Sequence, residues 1–418
     1  MRILYIAFDN PATENIIGGM NDETLAGLPA LYYPFKLLLE RGHTVDLLLF
    51  SPDKQKTFVE SAKLKKENFF HVPLPDNSGV KGKLNFIRTV RGETRKLLKA
   101  RKYDFVYGLA EGAVLGVMEA RKAGIPCGYR QFGVYNDFEK SVRKRKTLLG
   151  KRITAFLRHT YVYIAMKAKM DFMLMTNDGS HPDVLYDMLK VKKKYRYFFW
   201  RSGIYVPAKR PMPIVDEGKA YPDAFDKNAI VQISRFSHEK RQPRTATILG
   251  ILHKRGYKLH LYYVGDDSVT AVKDAILEEA KKWNVQDYIH IEGRRKQARA
   301  WEYSRNALAC IISNESGLGN VFYENMAQGS MVVAAKAPTL DDYVESGVNG
   351  FQFATEEEAA DQIEKMLNDD AAYWELRKCA YNTAKERFMS IEKRFGMEAD
   401  LIEDVAESKS IDKYPENL

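Results

Sequence analysis

The C-terminal half of the chain alternates regularly between short apolar segments and longer amphipathic ones, and this alternation restricts the fold more than any other feature. The short segments predict strands at residues 230–234, 259–264, 289–292, 308–312, 331–335 and 350–353. The segments between them have helical periodicity. Strands and helices in this order predict a parallel, doubly wound α/β sheet.

The N-terminal half begins with a similar unit. Residues 2–7 predict a strand, residues 26–41 a helix that stops at Gly42, and residues 44–50 a second strand. Further strands are predicted at 105–107, 124–131 and 172–175. Because 418 residues exceed what one hydrophobic core usually organises, we expect two domains. A proline-rich stretch at 206–228 is typical of the linker between them.

Composition indicates an ordinary globular protein, with 45% hydrophobic and 29% charged residues. The three cysteines, Cys127, Cys310 and Cys379, have no pairing or metal-binding spacing, which favours reduced cysteines in a cytosolic protein. No run approaches the ~18 apolar residues of a transmembrane helix. We therefore expect a cytoplasmic protein that meets membranes only peripherally.

The segment from residue 314 to 329 is the most informative about function. It runs from an apolar strand through Gly317 and Gly319 into a predicted helix that starts at Asn320. The first amides of a helix lack partners and bind anions, phosphate above all. Glu324 lies about one turn into this helix, so its carboxylate can reach the same end. A ligand with a phosphate at the amides and a sugar hydroxyl at the carboxylate would be a nucleotide sugar. The alternative is that the segment only connects a strand to a helix.

Two cations follow the first strand of the C-terminal half. Arg235 and Lys240 stand five residues apart where that strand ends. Open α/β sheets bind ligands at the carboxyl ends of their strands, and a leaving diphosphate needs positive charge there. A single cation at a strand end is more often a solvated surface residue. The pair, followed by the glycine segment, indicates a diphosphate site.

These two segments resemble the signature of the retaining glycosyltransferase family 4 (glycosyl transferases group 1). The resemblance covers most of the chain and implies the GT-B fold, with two Rossmann-like, doubly wound domains facing a central cleft. It implies an acceptor-binding domain at 1–205, a linker at 206–228 and a nucleotide-sugar-binding domain at 229–385. Residues 386–418 would form a helix that crosses back to the N-terminal domain, followed by an acidic tail that we expect to fray.

The resemblance also implies roles for individual residues. Arg235 and Lys240 would hold the diphosphate of the donor, and Glu324 its ribose. The other implied donor-binding residues are Gly18, Gly19, Arg294, Ser316, Gly317, Leu318, Gly319 and Asn320.

The first glutamate of the family signature is displaced in this chain. Counting back from Glu324 places it at Ser316, whereas the nearest acid, Glu315, is one residue early. Either the loop is slipped by one residue and Glu315 acts on the sugar, or Ser316 has replaced it. Many relatives also place a histidine near residues 128–134, where this chain has Arg130 and Gln131.

Charge is divided unequally along the chain. Residues 1–210 contain 38 Lys and Arg against 20 Asp and Glu, and the remainder 27 against 35. Seven cations lie between positions 140 and 152 with no acidic residue among them: Lys140, Arg143, Lys144, Arg145, Lys146, Lys151 and Arg152. Apolar residues with helical spacing follow these cations, which favours a surface that binds the acceptor or an anionic membrane. Each cation close to such a membrane would contribute about 1 kcal/mol of attraction. The alternative is a charged helix whose apolar face packs on its own domain.

A second basic cluster at residues 192–201 is interleaved with aromatic residues, a pattern that also suits sugar stacking or nucleic acid.

The expected activity is transfer of a sugar from a nucleotide-diphosphate donor to a saccharide, glycolipid or lipid-linked acceptor. The resemblance implies retention of configuration, no metal ion and no cofactor. We expect surface polysaccharide or glycoconjugate synthesis at the inner face of the cell membrane, with no nucleic acid partner. Two alternatives stay open: a degenerate GT-B protein that binds without turnover, suggested by Glu315 and the missing histidine, and a nucleic-acid-binding or -modifying protein.

Overall fold

The computed structural model describes residues 1–20, 29–61, 64–75, 79–133, 136–177, 182–216, 218–314, 319–337 and 340–418. They form two compact α/β units. One comprises Met1–Gly203 and Ile391–Leu418, and the other Ile204–Ser390. The stretch predicted as a linker falls within the second unit, where the Tyr221 ring packs 4.4 Å from that of Tyr262.

The first unit is built on a parallel seven-stranded sheet. Its strands are β1 (Arg2–Phe8), β2 (Thr44–Ser51), β3 (Phe69–Pro73), β4 (Phe105–Leu109), β5 (Cys127–Gln131), β6 (Phe172–Thr176) and β7 (Arg196–Trp200), in the order β3-β2-β1-β4-β5-β6-β7. Its helices are α1 (Pro11–Ile17), α2 (Pro29–Glu40), α3 (Gly79–Ala100), α4 (Val114–Lys122), α5 (Asn136–Arg143), α6 (Leu148–Arg158), α7 (Thr160–Lys167) and α8 (Pro182–Leu189).

Both faces of this sheet are covered. Leu4 and Ile6 of β1 belong to one buried cluster, and Ile3 and Tyr5 to another on the opposite face. Alternate residues of one strand therefore enter two separate cores, as a doubly wound sheet requires.

Strand β7 corrects the interpretation of the aromatic and basic cluster at 192–201. Phe198 and Trp200 alternate along the strand and are fully buried. Because its largest rings pack in the core, the segment is a sheet strand and offers no continuous stacking surface. Strands β3 and β7 were not predicted from the sequence.

The second unit has a parallel six-stranded sheet in the order β10-β9-β8-β11-β12-β13. Its strands are β8 (Asp226–Ile233), β9 (His260–Val264), β10 (Ile289–Gly293), β11 (Ala307–Ile312), β12 (Val332–Ala335) and β13 (Phe351–Phe353). Its helices are α9 (Gln242–Lys254), α10 (Thr270–Trp283), α11 (Gln297–Asn306), α12 (Asn320–Ala327), α13 (Glu356–Leu367) and α14 (Asp370–Arg387). All six predicted strands are confirmed to within a few residues, and so is the α/β fold of two Rossmann-like units.

Helix α15 (Ile391–Ala406) packs on the first unit through buried charges. Glu398 contacts Nη1 of Arg130 and Nη1 of Arg394, the latter at 3.1 Å, and all three side chains are at most 1% exposed. The Tyr107 hydroxyl also donates to Glu398 (2.6 Å). Arg130, which stands near the place of the family histidine, is thus committed to holding α15.

The acidic tail after α15 is not frayed, contrary to expectation. The amide of Phe199 donates to the carbonyl of Glu416 (2.6 Å), and that of Leu418 to the carbonyl of Phe199 (3.0 Å). The Trp200 indole donates to the carbonyl of Pro415 (2.7 Å). The tail therefore pairs with β7 and covers an edge of the sheet that would otherwise be open.

Among the described residues, no helix has both the length and the apolar character needed to cross a lipid bilayer.

Candidate functional site

The chain leaves β8 at Ser234 and passes directly over the end of β9. The amide of Ser234 donates to the carbonyl of Val264 (2.9 Å), and that of Phe236 to the carbonyl of Asp266 (2.7 Å). Gly265 permits this approach, because its φ is +152° and a Cβ there would lie 2.0 Å from the Ser234 carbonyl oxygen. The two loops are fixed against each other at the edge of the sheet where α/β folds bind ligands.

A buried polar network fixes the backbone at Lys240. The carbonyl of Lys240 accepts from Nε2 of Gln232 (3.2 Å) and from Oγ of Ser313 (2.6 Å). Nε2 of Gln232 also donates to Oγ of Ser313 (2.8 Å), and Oγ1 of Thr245 donates to Oε1 of Gln232 (2.7 Å). Buried and satisfied networks of this kind rigidify the backbone they touch.

Gln242 fixes the other end of the same segment, because its Nε2 donates to the carbonyl of Arg235 (2.8 Å). Neither Gln232 nor Gln242 was among the predicted site residues. For Gln232, the sequence offered one signal, since a glutamine that follows apolar residues within a buried strand must find a buried partner.

Arg235 and Lys240 line a cavity of about 190 Å³ together with Gly319. The ends of β8 and β11 and the first turn of α12 supply the other walls. Nζ of Lys240 lies 3.9 Å from the position that a Cβ at Gly319 would occupy. The structure thus brings both predicted cations to the N-terminal end of α12, where Asn320 is the first helical residue. The amide of Phe322 donates to the carbonyl of Gly319 (3.0 Å), so the amides of Asn320 and Val321 are those that precede the first hydrogen bond of the helix.

Arg235 is exposed and has an ionic partner in its own loop. Its Nη2 lies 2.7 Å from Oε1 of Glu239, and the two side chains are 69% and 55% exposed. An exposed pair is worth only about 0–1 kcal/mol. A diphosphate could therefore compete with Glu239 for this guanidinium group.

Arg294 and Arg235 lie within electrostatic range of one carboxylate. The pKa of Asp266 is lowered mainly by hydrogen bonds from Ser268, and in smaller measure by the charges of Arg294 and Arg235. Arg235 thus follows β8, Asp266 follows β9 and Arg294 follows β10, so a negative side chain lies between two positive ones at this edge of the sheet. Arg294 is exposed and does not line the cavity.

Glu324 lies on the second turn of α12, with its side chain partly buried. Nε2 of Gln297 donates to its Oε1 (3.1 Å). Burial raises the pKa of Glu324 to about 7, against the effect of the neighbouring Trp301 and Gln297 side chains, which favour the ionised form. The carboxylate can thus change its charge near neutrality.

The predicted residues Glu315, Ser316, Gly317 and Leu318 lie outside the described residues. Both Glu315 and Ser316 therefore stay candidates for the role of the first glutamate in the family signature.

Gly18 and Gly19, which the resemblance implies as donor-binding residues, belong to the first unit and follow α1. Gly18 caps α1 by donating its amide to the carbonyl of Glu14 (2.9 Å), and Gly19 has a φ of +101°. A seven-residue helix capped by Asn10 therefore separates the strand from the paired glycines. The short length of this helix concealed it in the sequence.

The predicted basic run spans the end of α5 and the start of α6. Lys140, Arg143, Lys144, Arg145 and Lys146 are exposed, and Lys151 and Arg152 are partly exposed. Two of these side chains also hold the fold: Nε of Arg145 donates to Oγ1 of Thr154 (3.0 Å), and Nε of Arg152 to the carbonyl of Leu189 (3.0 Å).

Helix α6 carries an apolar face that is about half exposed or more. Leu149, Ile153, Phe156 and Leu157 are 69%, 49%, 48% and 63% exposed. Their spacing places them on one side of the helix. The alternative in which this apolar face packs on its own domain is therefore wrong for these four residues.

Within the ranges that the structure describes, no group of three or more His, Cys, Asp or Glu side chains is placed to hold a metal ion.

Comparison with known proteins gives the fold a family context. Residues 219–387 match the family model described as "Glycosyl transferases group 1". A comparison with curated protein sequences gives no significant match.

Three solved structures illustrate the likeness. Sucrose-phosphate synthase from Thermosynechococcus elongatus is 15% identical with a TM-score of 0.69, covering 98% of this chain and 100% of its own. Anabaena HepE in complex with UDP-glucose is 15% identical with a TM-score of 0.63, covering 97% and 100%. WaaG, a glycosyltransferase involved in lipopolysaccharide biosynthesis, is 15% identical with a TM-score of 0.63, covering 96% and 99%. The chain thus has the fold of GT-B glycosyltransferases, and its residues 219–387 match the glycosyl transferases group 1 family.

Proposed function

We propose that this protein is a glycosyltransferase that moves a sugar from a nucleotide-diphosphate donor to a saccharide, glycolipid or lipid-linked acceptor. The observation that carries the proposal is the cavity that joins Arg235 and Lys240 to the N-terminal end of α12. Positive side chains and free helix amides together form a site for a diphosphate. The relative HepE is described in complex with UDP and UDP-glucose, which makes uridine donors the first candidates.

The proposed reaction breaks the bond between the anomeric carbon and the diphosphate oxygen and forms a bond to an acceptor hydroxyl oxygen. Configuration is retained, and the proton of the acceptor passes to the departing diphosphate. Arg235, Lys240 and the first amides of α12 stabilise the negative charge that develops on the leaving group. These groups perform the task that a metal ion performs in other transferases. Glu315 or Ser316 would contact the sugar, and Glu324 the ribose.

Thermal shifts with UDP, GDP, ADP and their glucose conjugates test the donor site. A ligand at 100 times its Kd stabilises the native state by about 2.7 kcal/mol. We expect the nucleotides of one base to give a clear thermal shift. Arg235→Ala and Lys240→Ala should each raise the Kd of that nucleotide at least about tenfold and so make the shift smaller. Arg255→Ala is the matched control, because Arg255 forms its ion pairs with Asp361 and Glu364 of α13. Equal losses in all three variants would contradict the proposal.

For the acceptor side, we propose that the first unit docks on an anionic membrane through α6, at the inner face of the cell membrane, in synthesis of a surface polysaccharide or glycoconjugate. The exposed face of Leu149, Ile153, Phe156 and Leu157 supplies apolar area. The cations from Lys140 to Lys151 flank it and match the charge of acidic lipid headgroups. An apolar face bordered by Lys and Arg is the pattern of interfacial helices.

Flotation with vesicles tests this docking. We expect binding to vesicles with phosphatidylglycerol, weak binding to pure phosphatidylcholine, and a loss of at least about tenfold in the Leu149→Ser/Leu157→Ser variant, since burial of a leucine side chain is worth about 1.5–3 kcal/mol. Val215→Ser, which changes an exposed valine of the second unit, is the control. No vesicle binding would contradict the docking, and binding to duplex DNA with a steep salt dependence would favour the nucleic-acid alternative.

A protein that binds the donor without turnover is the second candidate, and one observation favours it. Arg130, near the place of the family histidine, is buried against Glu398 and is therefore unavailable to a substrate. Donor binding without hydrolysis or transfer to any lipid-linked saccharide would support this candidate.

A further inference from the structure

Two side chains of α11 face the carboxylate of Glu324. Gln297 and Trp301 are four residues apart and so lie on one side of the helix. Nε2 of Gln297 donates to Oε1 of Glu324 at 3.1 Å. The Trp301 indole N–H is near enough to favour the ionised carboxylate. Among the described residues, however, its buried Nε1 meets no acceptor at hydrogen-bonding geometry.

The Trp301 ring is held in place from its other side. The ring of Tyr205 stacks on it with a centroid distance of 5.0 Å and an interplanar angle of 15°. Tyr205 itself is 45% exposed. The face of the indole therefore packs on a half-exposed aromatic ring, which restricts the movement of the Trp301 side chain.

Lys240 and Arg235 lie at the N-terminal end of α12, whereas two cations of the helices packed beside it have other partners. On α14, Arg377 donates to the carbonyls of Gly329 (2.5 Å) and Arg305 (2.6 Å). On α11, Arg299 pairs with Asp223 and Glu302. Strand β12 consists of Val and Ala and contributes no charge.

Glu324 is therefore a partly buried carboxylate that accepts a hydrogen bond from neutral Gln297 and lies near the neutral indole of Trp301. No cation within 4.0 Å pairs with it in the part of the chain that the structure describes. Burial of a carboxylate without a positive partner is costly. Such groups concentrate at functional sites, where their ionisation is used. Gln297 and Trp301 are both neutral, so they can orient the carboxylate without pairing its charge.

We propose that Gln297 and Trp301 are positioning residues that direct the Glu324 carboxylate toward the ribose hydroxyls of the nucleotide. Nucleotide binding should then weaken as the pH falls and this carboxylate takes up a proton. The inference rests on the proposed function. An ionised carboxylate accepts hydrogen bonds from both hydroxyls of a ribose, whereas the protonated group has lost part of this capacity. Loss of either neutral donor makes ionisation harder and moves the transition to higher pH.

The test is a pH series of calorimetric titrations with UDP and GDP, from about pH 5.5 to about pH 8.5, the range around the titration of Glu324. The wild-type Kd should rise several-fold toward the acid end. In Trp301→Phe, which keeps the ring stacked on Tyr205, the rise should begin at higher pH, and Gln297→Met should act in the same direction. 2′,3′-Dideoxy-UDP should bind all variants with the same, weaker affinity.

A matched tryptophan provides the control. Nε1 of Trp283 donates to Oε1 of Glu279 at 3.1 Å, on α10. Trp283→Phe removes an indole N–H that faces a carboxylate of α10, away from the proposed nucleotide site, and should leave the pH profile unchanged.

The outcomes separate the two proposals. A wild-type protein that binds none of UDP, GDP and ADP overturns both the proposed function and this inference. Nucleotide binding with a profile that is flat, or the same in Trp301→Phe and Gln297→Met as in the wild type, overturns this inference alone. If Trp301→Phe does not fold, Gln297→Met and the dideoxy nucleotide still decide.

Discussion

The most direct test of the fold is Glu398→Gln, which breaks the buried charge cluster under α15. In the wild type, Glu398 offers its oxygens to Arg130, Arg394 and Tyr107, and none of the three charged side chains is more than 1% exposed. Glutamine has nearly the same shape but leaves two buried guanidinium groups without a counter-charge. Removing one partner of a buried ion pair costs about 3–5 kcal/mol.

This loss should lower the melting temperature of the first unit by about 6–20 °C, since about 1 kcal/mol corresponds to about 2–4 °C in a unit of this size. Urea denaturation gives the free energy of unfolding directly. Glu93→Gln is the control, because the pair of Glu93 with Lys96 is exposed and should cost less than about 1 kcal/mol. An equal, small loss in both variants would show that water reaches the cluster and would refute the reasoning.

A replacement of the whole cluster separates charge from packing. Arg130→Met/Arg394→Met/Glu398→Leu removes all three charges together and should recover most of the stability, because apolar substitutes for buried ion pairs are often neutral or stabilising. The cluster also makes stability depend on pH. Burial raises the pKa of Glu398, but the two guanidinium groups outweigh it and lower the pKa. The stabilisation is therefore present above the ordinary pKa of a glutamate and is lost as the pH falls through the lowered value.

Three further changes have expected outcomes. Gln232→Met removes donors to Lys240 and Ser313, so unfolding in urea should show a loss of about 1–3 kcal/mol, and nucleotide affinity should fall. Gly265→Ala places a Cβ 2.0 Å from the Ser234 carbonyl and should lower the melting temperature and weaken donor binding together, whereas Gly256→Ala meets no atom within 4 Å and strains only its own backbone. Deletion of residues 416–418 should expose β7, seen as faster amide exchange at Phe199 and as aggregation in light scattering, and unchanged exchange would contradict the pairing.

Much of the second unit could be predicted from the sequence, because its strands are short, mostly apolar runs separated by clear helices. The cations Arg235 and Lys240 were predictable as well, since their distance from a strand end fixes the edge of the sheet on which they lie. The residues that hold them were not. Gln232 and Ser313 are 81 positions apart, and nothing local indicates that they touch.

The errors in the first unit have a related cause. In β7, the alternation of Phe198 and Trp200 is masked by cations and by aromatic residues on the other face, so composition suggested a binding surface. The tail is acidic enough to predict fraying, yet its carbonyls pair with β7 more than 200 positions earlier. Pairing over such distances depends on the whole fold and leaves no periodic pattern.

The participation of α15 in the first unit has a consequence for synthesis on the ribosome. Residues 1–203 emerge with Arg130 but without Glu398, and the intervening residues 204–390 must be made before the counter-charge appears. At about 5–20 residues per second, this delay lasts roughly 10–40 s. During it, the second unit has time to fold as an insertion while the first still awaits its last helix. During synthesis of the full chain, the second unit should therefore become resistant to protease before the first unit does.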